Sequence, residues 1–461
     1  MSMIARTNVS KRKGSVLAYI LVITSLSMML LLAVIQVVVS RIQYAQYREN
    51  KEQSLQIAES GIYFYRWYLA HEVEGRTTQQ IQDFWEGGSA LGVGSAYERD
   101  VLDTDGTLRG SYRVTVTPPE SYSTIVIVEA VGWTVKDPDI KRTVRARFRR
   151  PSWSEFAVLG DDYMRFGDGT TVMGPLHVNG GAHFDGLAYN TVSSAVEEYY
   201  DSDFDVNGWR DGVWTSWGSE YNTSMGGSVF SGGKEYPVPE QSFANVSTNL
   251  SIIKDAALDS GMYFDNDRQG RHIVLQTDGT FNIRKVRSYS SATNDILSYQ
   301  GGWQTFDIPE NGVIYVEDNI WLEGTIDGER ITIAAADLIG GGNPNVFIGH
   351  DIRYTNYDGS DTIGVIAEND IEILKNSEDY LRIEAALLAQ NGRVGRTYYI
   401  DHKDTISIFG ALASNQRYGF AYTDGTGYNT RDLQYDNNLL YYPPPYFPTG
   451  DTYSIDLWEE L

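Results

Sequence analysis

The chain has 461 residues, a formal net charge of -24 and no cysteine. The absence of cysteine excludes disulfides, thiolate metal sites and cysteine nucleophiles. The acidity argues against a nucleic-acid partner, because phosphate binding needs clustered Lys and Arg. Hydrophobic residues make up 42%, so most of the chain is expected to fold into two or three domains with buried cores. The 45 glycines and only 13 prolines favour short strands joined by tight turns.

The N-terminal segment predicts a membrane anchor. Residues 15–40 read SVLAYILVITSLSMMLLLAVIQVVVS, without charge, Pro or Gly. As a helix this stretch would be about 39 Å long, enough to cross a bilayer with some tilt. Arg6 and residues 11–13 (KRK) are basic and no acid precedes the stretch, so the N-terminus is expected to stay in the cytoplasm. A secretory signal peptide is the competing interpretation, but the apolar stretch is too long and no small-residue cleavage site follows it.

The same helix is expected to continue beyond the membrane. Residues 41–72 contain no Pro, and their first Gly is Gly61. Apolar residues recur there at spacings of three and four or their multiples, which predicts an amphipathic face packed on a globular domain. That face consists of Ile42, Ala45, Leu55, Ala58, Ile62 and Tyr65.

The sequence around the anchor resembles the type IV pilin family. The motif KRKG at 11–14, followed at once by an apolar helix, resembles a type IV prepilin leader. The stretch AESGIYFYRWYLA at 58–70 resembles the end of the PilX-like minor-pilin N-terminal segment. The resemblance implies that residues 1–14 are a leader, that a peptidase cleaves between Gly14 and Ser15, and that the mature helices bundle into a filament core.

Two positions decide which kind of pilin the resemblance implies. Tyr19 stands at the fifth mature position, where major pilins carry Glu, and Ser15 stands where Phe or Met is commoner. The resemblance therefore implies a minor pilin or pseudopilin, and an uncleaved membrane anchor is the alternative. It places the protein in a bacterial inner membrane, single-pass, with the N-terminus inside and the ectodomain outside the cytoplasm or in a surface filament. Its implied partners are membrane lipid and other pilin or pilus-assembly subunits.

Residues 73–150 are predicted to form a small pilin-like α+β domain. Strict alternation of apolar and polar residues over 112–117 and 144–149, with a mostly apolar run at 124–135, predicts three antiparallel strands with one buried face. The apolar face of the helix would cover that sheet. The exposed face carries a row of arginines, which we interpret as a solvated face that resists edge pairing rather than a docking surface.

From residue 151 to 461 the pattern changes to short apolar strands between Gly, Asn and Asp turns. Similar units at 316–320, 348–352 and 367–371 recur with a loose spacing of roughly twenty residues. Such repetition predicts a right-handed β-solenoid with one turn per repeat, whose alanines would fill tight corners inside the coil. The predicted fold class is therefore mainly β, with a long N-terminal α-helix.

A second resemblance covers the same region. The stretches GPLHVNGGAHFDG (174–186), IGVIAENDIEI, EAALLAQNGRVG and IFGALASNQRYGF, and the tail YDNNLLYYPPPYF (435–447), resemble the solenoid ectodomain common behind PilX-like N-termini in bacteria. The function of that ectodomain is generally unassigned, so the resemblance implies an architecture and a location but no reaction.

Residues 188–310 interrupt the repeats and are interpreted as an insertion in the solenoid. Aromatic residues lie there among Asp, Gly and Ser, and Trp209, Trp214 and Trp217 are the candidate ligand-binding residues. Aromatic rings in a loop can stack on sugars or on a partner, so surface glycans are a candidate ligand. A local mini-core that holds a long insertion is the alternative.

Motifs for catalysis and for metal binding are absent from the sequence. HExxH, GxSxG, Walker and paired-His zinc patterns do not occur. His177 and His183 lie six residues apart in a Gly-rich region and are interpreted as loop histidines with satisfied hydrogen bonds, because no third ligand is near in sequence. No metal site and no cofactor is therefore predicted.

The predicted function is a pilus-associated or cell-surface structural or adhesion protein, not an enzyme, anchored by a pilin-like helix. The alternative is a membrane-anchored carbohydrate-active enzyme, because solenoids also host polysaccharide lyases and hydrolases. Such an enzyme needs carboxylates that converge on one face of the solenoid, and Glu317, Glu368 and Glu372 are the candidates. Two acids about five to ten Å apart in an open groove would favour it.

Overall fold

The computed structural model describes residues 13–76, 78–119, 123–203, 205–241, 243, 246–267, 269–450 and 452–461. Most of the predicted leader, residues 1–12, lies outside this part of the chain. The fold of the described residues is mainly β, as predicted, with three α-helices: α1 (Lys13–Glu72), α2 (Thr78–Glu86) and α3 (Val246–Asp259).

The strands fall into a proximal group, which follows α2, and a distal group. The proximal strands are β1 (Tyr97–Leu102), β2 (Leu108–Thr117), β3 (Ile125–Thr134) and β4 (Lys141–Arg149). The distal strands before α3 are β5 (Val158–Gly160), β6 (Met164–Phe166), β7 (Thr170–Met173), β8 (Leu176–Val178), β9 (Ala182–Phe184), β10 (Leu187–Ala188), β11 (Val192–Ser194), β12 (Glu198–Asp201), β13 (Gly208–Asp211), β14 (Val213–Trp214), β15 (Tyr221–Asn222), β16 (Gly227–Ser228) and β17 (Lys234–Glu235). The strands after α3 are β18 (Met262–Phe264), β19 (Arg271–Leu275), β20 (Thr280–Tyr289), β21 (Ile296–Asp307), β22 (Val313–Val316), β23 (Ile320–Ile326), β24 (Arg330–Ala335), β25 (Val346–Tyr354), β26 (Thr362–Ala367), β27 (Ile371–Ile373), β28 (Tyr380–Ala389), β29 (Val394–Arg396), β30 (His402–Ser414), β31 (Gly427–Tyr435) and β32 (Ser454–Glu460).

The helix α1 is continuous from the apolar segment into the globular part, as predicted. Every side chain from Val16 to Glu49 is exposed. Burial begins only where the helix meets the proximal sheet, at Ser54, whose Oγ donates a hydrogen bond to the carbonyl of Ile140 at 2.9 Å. The predicted contact face is therefore confirmed at Ala58, Ile62 and Tyr65, is half-buried at Leu55, and is wrong at Ile42 and Ala45, which lie beyond the reach of the sheet.

The proximal strands form one antiparallel sheet in the order β1–β2–β3–β4–β32. The predicted three-stranded meander is β2–β3–β4, and β1 and β32 extend it at its two edges. Burial alternates strictly along β3, because α1 covers one face of the sheet and the other is wet. The backbones of the helix and the sheet come close at Gly132, where an added Cβ would lie 2.4 Å from backbone atoms of Ser54 and Ala58.

The last strand, β32, is not predicted by the sequence. It lies in the range assigned to the distal domain, yet it pairs with β4 of the proximal sheet. Its acids reach the arginine row of β4, where Arg147 Nε lies 2.9 Å from Asp456. Arg145 lies between Glu129, at 2.6 Å, and Glu459, at 3.0 Å. These ion pairs neutralise the two arginines within the chain, which supports the interpretation of the row as a structural face.

Most of the distal strands form a stack of coils with parallel pairing. One ladder runs β18–β22–β24–β26–β28–β30–β5–β8–β11–β17, and every neighbouring pair in it is parallel. A second ladder runs β19–β23–β25–β27–β29 and a third runs β28–β30–β31–β7–β10, also in parallel. Such ladders are expected of stacked solenoid coils, whose predicted right-handedness stays a prediction. We call these strands and their turns the coil stack.

The chain enters the coil stack in its middle. β5 lies between β30 and β8, so the strands from β5 to β17 build a first arm and those from β18 to β31 build a second arm. A connecting segment, residues 236–261, leads from the free end of the first arm to that of the second and includes α3. Along the first arm, Val238 donates to the carbonyl of Ser194 at 2.9 Å. Further on, Asn179 donates to the carbonyl of Gln241 at 2.7 Å.

The range 188–310 is more closely integrated than an insertion would be. Strands β11 and β17 complete the first arm, and β18 and β19 begin the second. The antiparallel hairpins β12–β13, β15–β16 and β20–β21 of this range lie outside the parallel ladders. The integrated strands are two to five residues long, which is too short for a periodic pattern to be recognised in the sequence.

Candidate functional site

A groove of about 810 Å³ opens where the two arms of the coil stack meet. Charged side chains of both signs line it, together with aromatic residues from the turn before β31. The charged residues are Arg165, Arg393, Arg417, Arg431, Asp168, Asp185, Asp203 and Asp205.

Three short parallel strands, β6, β9 and β14, build one wall beside this groove. Their register places Arg165, His183 and Trp214 next to one another on adjacent strands. Side chains alternate along a strand, so the neighbours of His183 on β9, Ala182 and Phe184, point into the hydrophobic core. This alternation turns His183 to the face of the strand that carries Arg165 and Trp214.

Two arginines hold the aspartates that follow β12. Arg417 contacts the carboxylate of Asp203 with both of its terminal nitrogens, at 2.6 and 2.8 Å, and Arg165 contacts it at 3.0 Å. Burial by itself would raise the pKa of Asp203, but the two guanidinium groups outweigh it and lower the pKa. Hydrogen bonds from Arg165 also lower the pKa of Asp205, to about 2. Both aspartates are therefore ionised at neutral pH.

His183 is fully buried in this wall. Its ring stacks on Trp214, with ring centroids 3.8 Å apart and planes inclined by 21°. On one side its Nε2 lies 2.9 Å from Asp185 Oδ2 and 2.8 Å from Ser216 Oγ. On the other side its Nδ1 lies 3.4 Å from Asp201 Oδ2 and makes no hydrogen bond to any described residue.

The two histidines singled out from the sequence are strand residues rather than loop residues. His177 lies on β8 and His183 on β9, and both are buried. The expected satisfied hydrogen bonds are present at His177, whose two ring nitrogens contact Ser193 Oγ at 3.0 Å and Asn179 Oδ1 at 3.1 Å. At His183 the expectation is wrong for Nδ1. The glycines nearby indicate close packing, since a Cβ on Gly181 would overlap the ring of a tyrosine on β12.

The three predicted ligand-binding tryptophans do not share one surface. Trp209 is 65% exposed and meets the ring of Tyr200 edge-on. Trp214 is half-buried against His183, and its Nε1 donates to Tyr199 Oη at 2.9 Å. Trp217 is half-buried against the core and donates from Nε1 to a backbone carbonyl at 2.8 Å. Their role in ligand binding stays a prediction, and of the three only Trp209 is largely open to a partner.

The three candidate catalytic glutamates already have structural partners. Glu317 forms an ion pair with Lys254 of α3. Glu368 accepts a hydrogen bond from the backbone N–H of Asp337 at 2.6 Å, which ties two neighbouring coils together. Glu372 is buried and accepts a hydrogen bond from a backbone N–H, and burial raises its pKa. These contacts give each glutamate a role in packing, and an enzymatic role for them stays untested.

Comparison with known proteins adds little to this geometry. No family model and no curated protein matches the chain. Among solved structures, the crystal structure of the competence-associated pilin ComZ from Thermus thermophilus aligns with 12% identity and a TM-score of 0.32, covering 89% of this chain and 97% of that chain. A similarity at this level supports no argument about fold or function, so the proposals below depend on the contacts of the chain itself.

Proposed function

We propose that the chain is a membrane-anchored, pilus-associated surface protein whose coil stack is presented outward for structural or adhesive contacts. One observation carries the proposal: the two halves of α1 have opposite environments. Its C-terminal half is packed into the proximal sheet, whereas its N-terminal half projects without contacts among the described residues. Among these residues, Val16–Glu72 is a helix long and apolar enough to cross a membrane, with a mean hydropathy of 2.5 in its most apolar window.

The projecting half of α1 needs an apolar environment. Its large side chains, from Val16 to Val39, are each between 46% and 69% exposed. Leaving apolar surface in water costs about 25 cal/mol per Å², so a row of this length is unfavourable unless lipid or neighbouring helices cover it. A helix that enters a membrane or a helical bundle at one end and supports an antiparallel sheet at the other suits a pilin-like subunit.

The mature N-terminus tests the pilin-like part of the proposal. Mass spectrometry of the protein from native membranes and from sheared surface filaments should find chains that begin at Ser15. Replacing Gly14 with Val should leave the leader in place, because the motif before the helix would no longer match a prepilin. Chains with an intact Met1 in purified surface filaments would contradict the proposal and favour a plain uncleaved anchor.

Adhesion is tested at the exposed tryptophan. If Trp209 contacts a glycan or a partner, Trp209→Ala should lower affinity roughly thirtyfold, the equivalent of about 2 kcal/mol. Trp303→Ala is the matched control, because Trp303 is also exposed, at 44%, and lies on a different hairpin, in β21. Glycan arrays and cell-adhesion assays on the folded variants measure the effect. Equal binding by wild type and both variants would remove Trp209 from the proposal.

A further inference from the structure

The ring nitrogen Nδ1 of His183 is buried among acidic side chains without a hydrogen bond to any described residue. Nδ1 belongs to a fully buried side chain, has no hydrogen-bond partner among the described residues, and faces the carboxylate of Asp201. Asp201 is itself fully buried and accepts hydrogen bonds from Tyr199 Oη at 3.2 Å and from the backbone N–H of Asp203 at 3.0 Å. A buried nitrogen that faces a carboxylate without a bond between them requires either a proton or a cation.

We propose that His183, Asp201 and Asp203 bind one divalent transition-metal ion of the Zn²⁺ class, with Nδ1 of His183 as the nitrogen ligand. One possible ligand atom from each of the three residues can be chosen so that all of them lie within 4.8 Å of one another. Two ligands bound to one ion at about 2.1 Å in tetrahedral geometry lie about 3.4 Å apart. The distance from His183 Nδ1 to Asp201 Oδ2 is 3.4 Å.

The other side of the imidazole is arranged as in known histidine–metal sites. A metal-bound histidine commonly donates its second ring N–H to a carboxylate, which fixes the tautomer and the ring orientation. Here Nε2 lies 2.9 Å from Asp185, so a proton on Nε2 leaves a lone pair on Nδ1 that faces Asp201. The ring of Trp214 fixes the plane of the imidazole.

The formal charges around His183 suit a divalent cation. Four carboxylates and two guanidinium groups are joined here by hydrogen bonds or ion pairs, which leaves two uncompensated negative charges when His183 is neutral. One divalent ion neutralises them. The carboxylates are those of Asp185, Asp201, Asp203 and Asp205, and the guanidinium groups are those of Arg165 and Arg417.

The donor set selects the class of ion. One imidazole and two carboxylates suit Zn²⁺ and its first-row neighbours, whereas Mg²⁺ and Ca²⁺ prefer oxygen ligands alone. Asp203 lines the groove, so a water molecule from the groove is available as a fourth ligand. Arg165 and Arg417 hold the Asp203 carboxylate near the other ligands, and they compete with the metal ion for its oxygen atoms.

The test uses the full chain in detergent. The protein is purified without a histidine tag, because a tag would itself bind Zn²⁺ and the chain already contains six histidines. After metal is removed by chelation, ZnCl₂ is titrated by calorimetry, and CoCl₂ is titrated by visible absorption. We expect one tight site per chain, a melting temperature that rises with Zn²⁺, and absorption bands of tetrahedral Co²⁺. MgCl₂ and CaCl₂ should neither raise the melting temperature comparably nor displace Zn²⁺.

Three variants locate the site. Asp201→Asn should weaken Zn²⁺ binding at least a hundredfold, and Asp185→Asn, which acts through the imidazole, should weaken it tenfold to a hundredfold. His177→Gln is the matched control, because His177 is a buried strand histidine six residues away with both ring nitrogens partnered. It should leave Zn²⁺ affinity unchanged.

Each outcome decides the proposal. The absence of tight Zn²⁺ binding to the wild type, or equal affinity in the wild type and Asp201→Asn, would overturn it. Equal losses in His177→Gln and Asp201→Asn would also overturn it. Should Asp201→Asn fail to fold, the wild-type Co²⁺ spectrum decides alone: tetrahedral bands support the site and a hexaaqua-like spectrum refutes it.

Discussion

The proximal sheet and the coil stack bury their strands in different ways. Burial alternates residue by residue along β3, whereas all six residues of β26 are buried. The antiparallel sheet is covered by helices on one face only, so the side chains on the other face of β3 are only partly buried. The coils pack against the core inside and against other parts of the chain outside, as where Thr332 Oγ1 donates to the carbonyl of Pro445. Alternating burial thus marks a one-sided sheet, and continuous burial marks strands that are covered on both sides.

Small side chains show how tightly the coils are stacked. The parallel ladder places Ala335, Ala367, Ala389 and Ser414 at equivalent positions on four successive coils. All four are buried, with no more than 1% of any of them exposed. Adjacent coils in such a ladder are about 4.8 Å apart, so a larger side chain at one position would press on both neighbours. The proximal sheet has no such constraint on its wet face.

A charge inside the coil stack should have the largest effect. Ile371 is fully buried on β27, between Val346 and Val394 of the neighbouring coils. Ile371→Asp places an unpaired carboxylate there, and we expect a loss of about 3–5 kcal/mol in the free energy of unfolding. Denaturant unfolding of the full chain measures it. Ile400→Asp is the control, because Ile400 is 88% exposed, and a similar loss in both variants would contradict the assignment of Ile371 to the interior.

A smaller loss, of about 1–3 kcal/mol, is expected when the helix is pushed away from the proximal sheet. Gly132→Val adds side-chain atoms where even a Cβ would lie 2.4 Å from helix backbone. Hydrogen exchange should then increase in β3 and in the buried half of α1 but not in the coil stack. Gly302→Val is the control, since nothing lies within 4 Å of an added Cβ there. Faster exchange throughout the coil stack would mean that the two regions unfold as one unit.

The sequence predicts the proximal region better than the distal one, for a physical reason. The alternation of Tyr112, Val114 and Val116 correctly identifies buried positions on β2. Successive side chains of this strand alternate between the covered face and the exposed face, so apolar and polar residues alternate in the sequence. The outer strands β1 and β32 carry no such alternation, and so they were not predicted. In the distal region repetition predicts stacked coils. It cannot predict their order, because β5 pairs with a strand about 250 residues later.

The candidate metal site also depends on contacts between residues that are distant in the sequence, and the sequence does not predict them. His183 and Asp201 are 18 residues apart and meet only because the fold brings the end of β12 close to β9. Two local signals could have drawn attention to them: an HxD motif at 183–185 and a DxDxD motif at 201–205. Acids at alternate positions after a strand are common on surfaces, so the motif alone does not distinguish a buried cluster from a solvated turn. The burial of His183, which only the structure shows, distinguishes this cluster from a solvated turn.

The smallest effect concerns the pH dependence of the charged groove in the coil stack. Arg165 lowers the pKa of Asp205 from 3.8 to about 2, so this pairing stabilises the fold above pH 4 and is lost as the pH falls towards 2. Because much of the Asp205 side chain is exposed, screening by solvent limits the effect to about 1 kcal/mol. Arg165→Gln should therefore flatten the fall in stability between pH 4 and 2.

Other carboxylates titrate in the same pH range, so only the difference between variant and wild type is informative, measured by denaturant unfolding at several pH values. Arg284→Gln is the control: Arg284 lies over the ring of Tyr299 and donates to a backbone carbonyl at 2.9 Å, and it should leave the pH dependence unchanged. If both variants flatten the profile equally, the acid sensitivity is a property of the overall charge. If only Arg165→Gln does, it resides in the groove where the two arms meet.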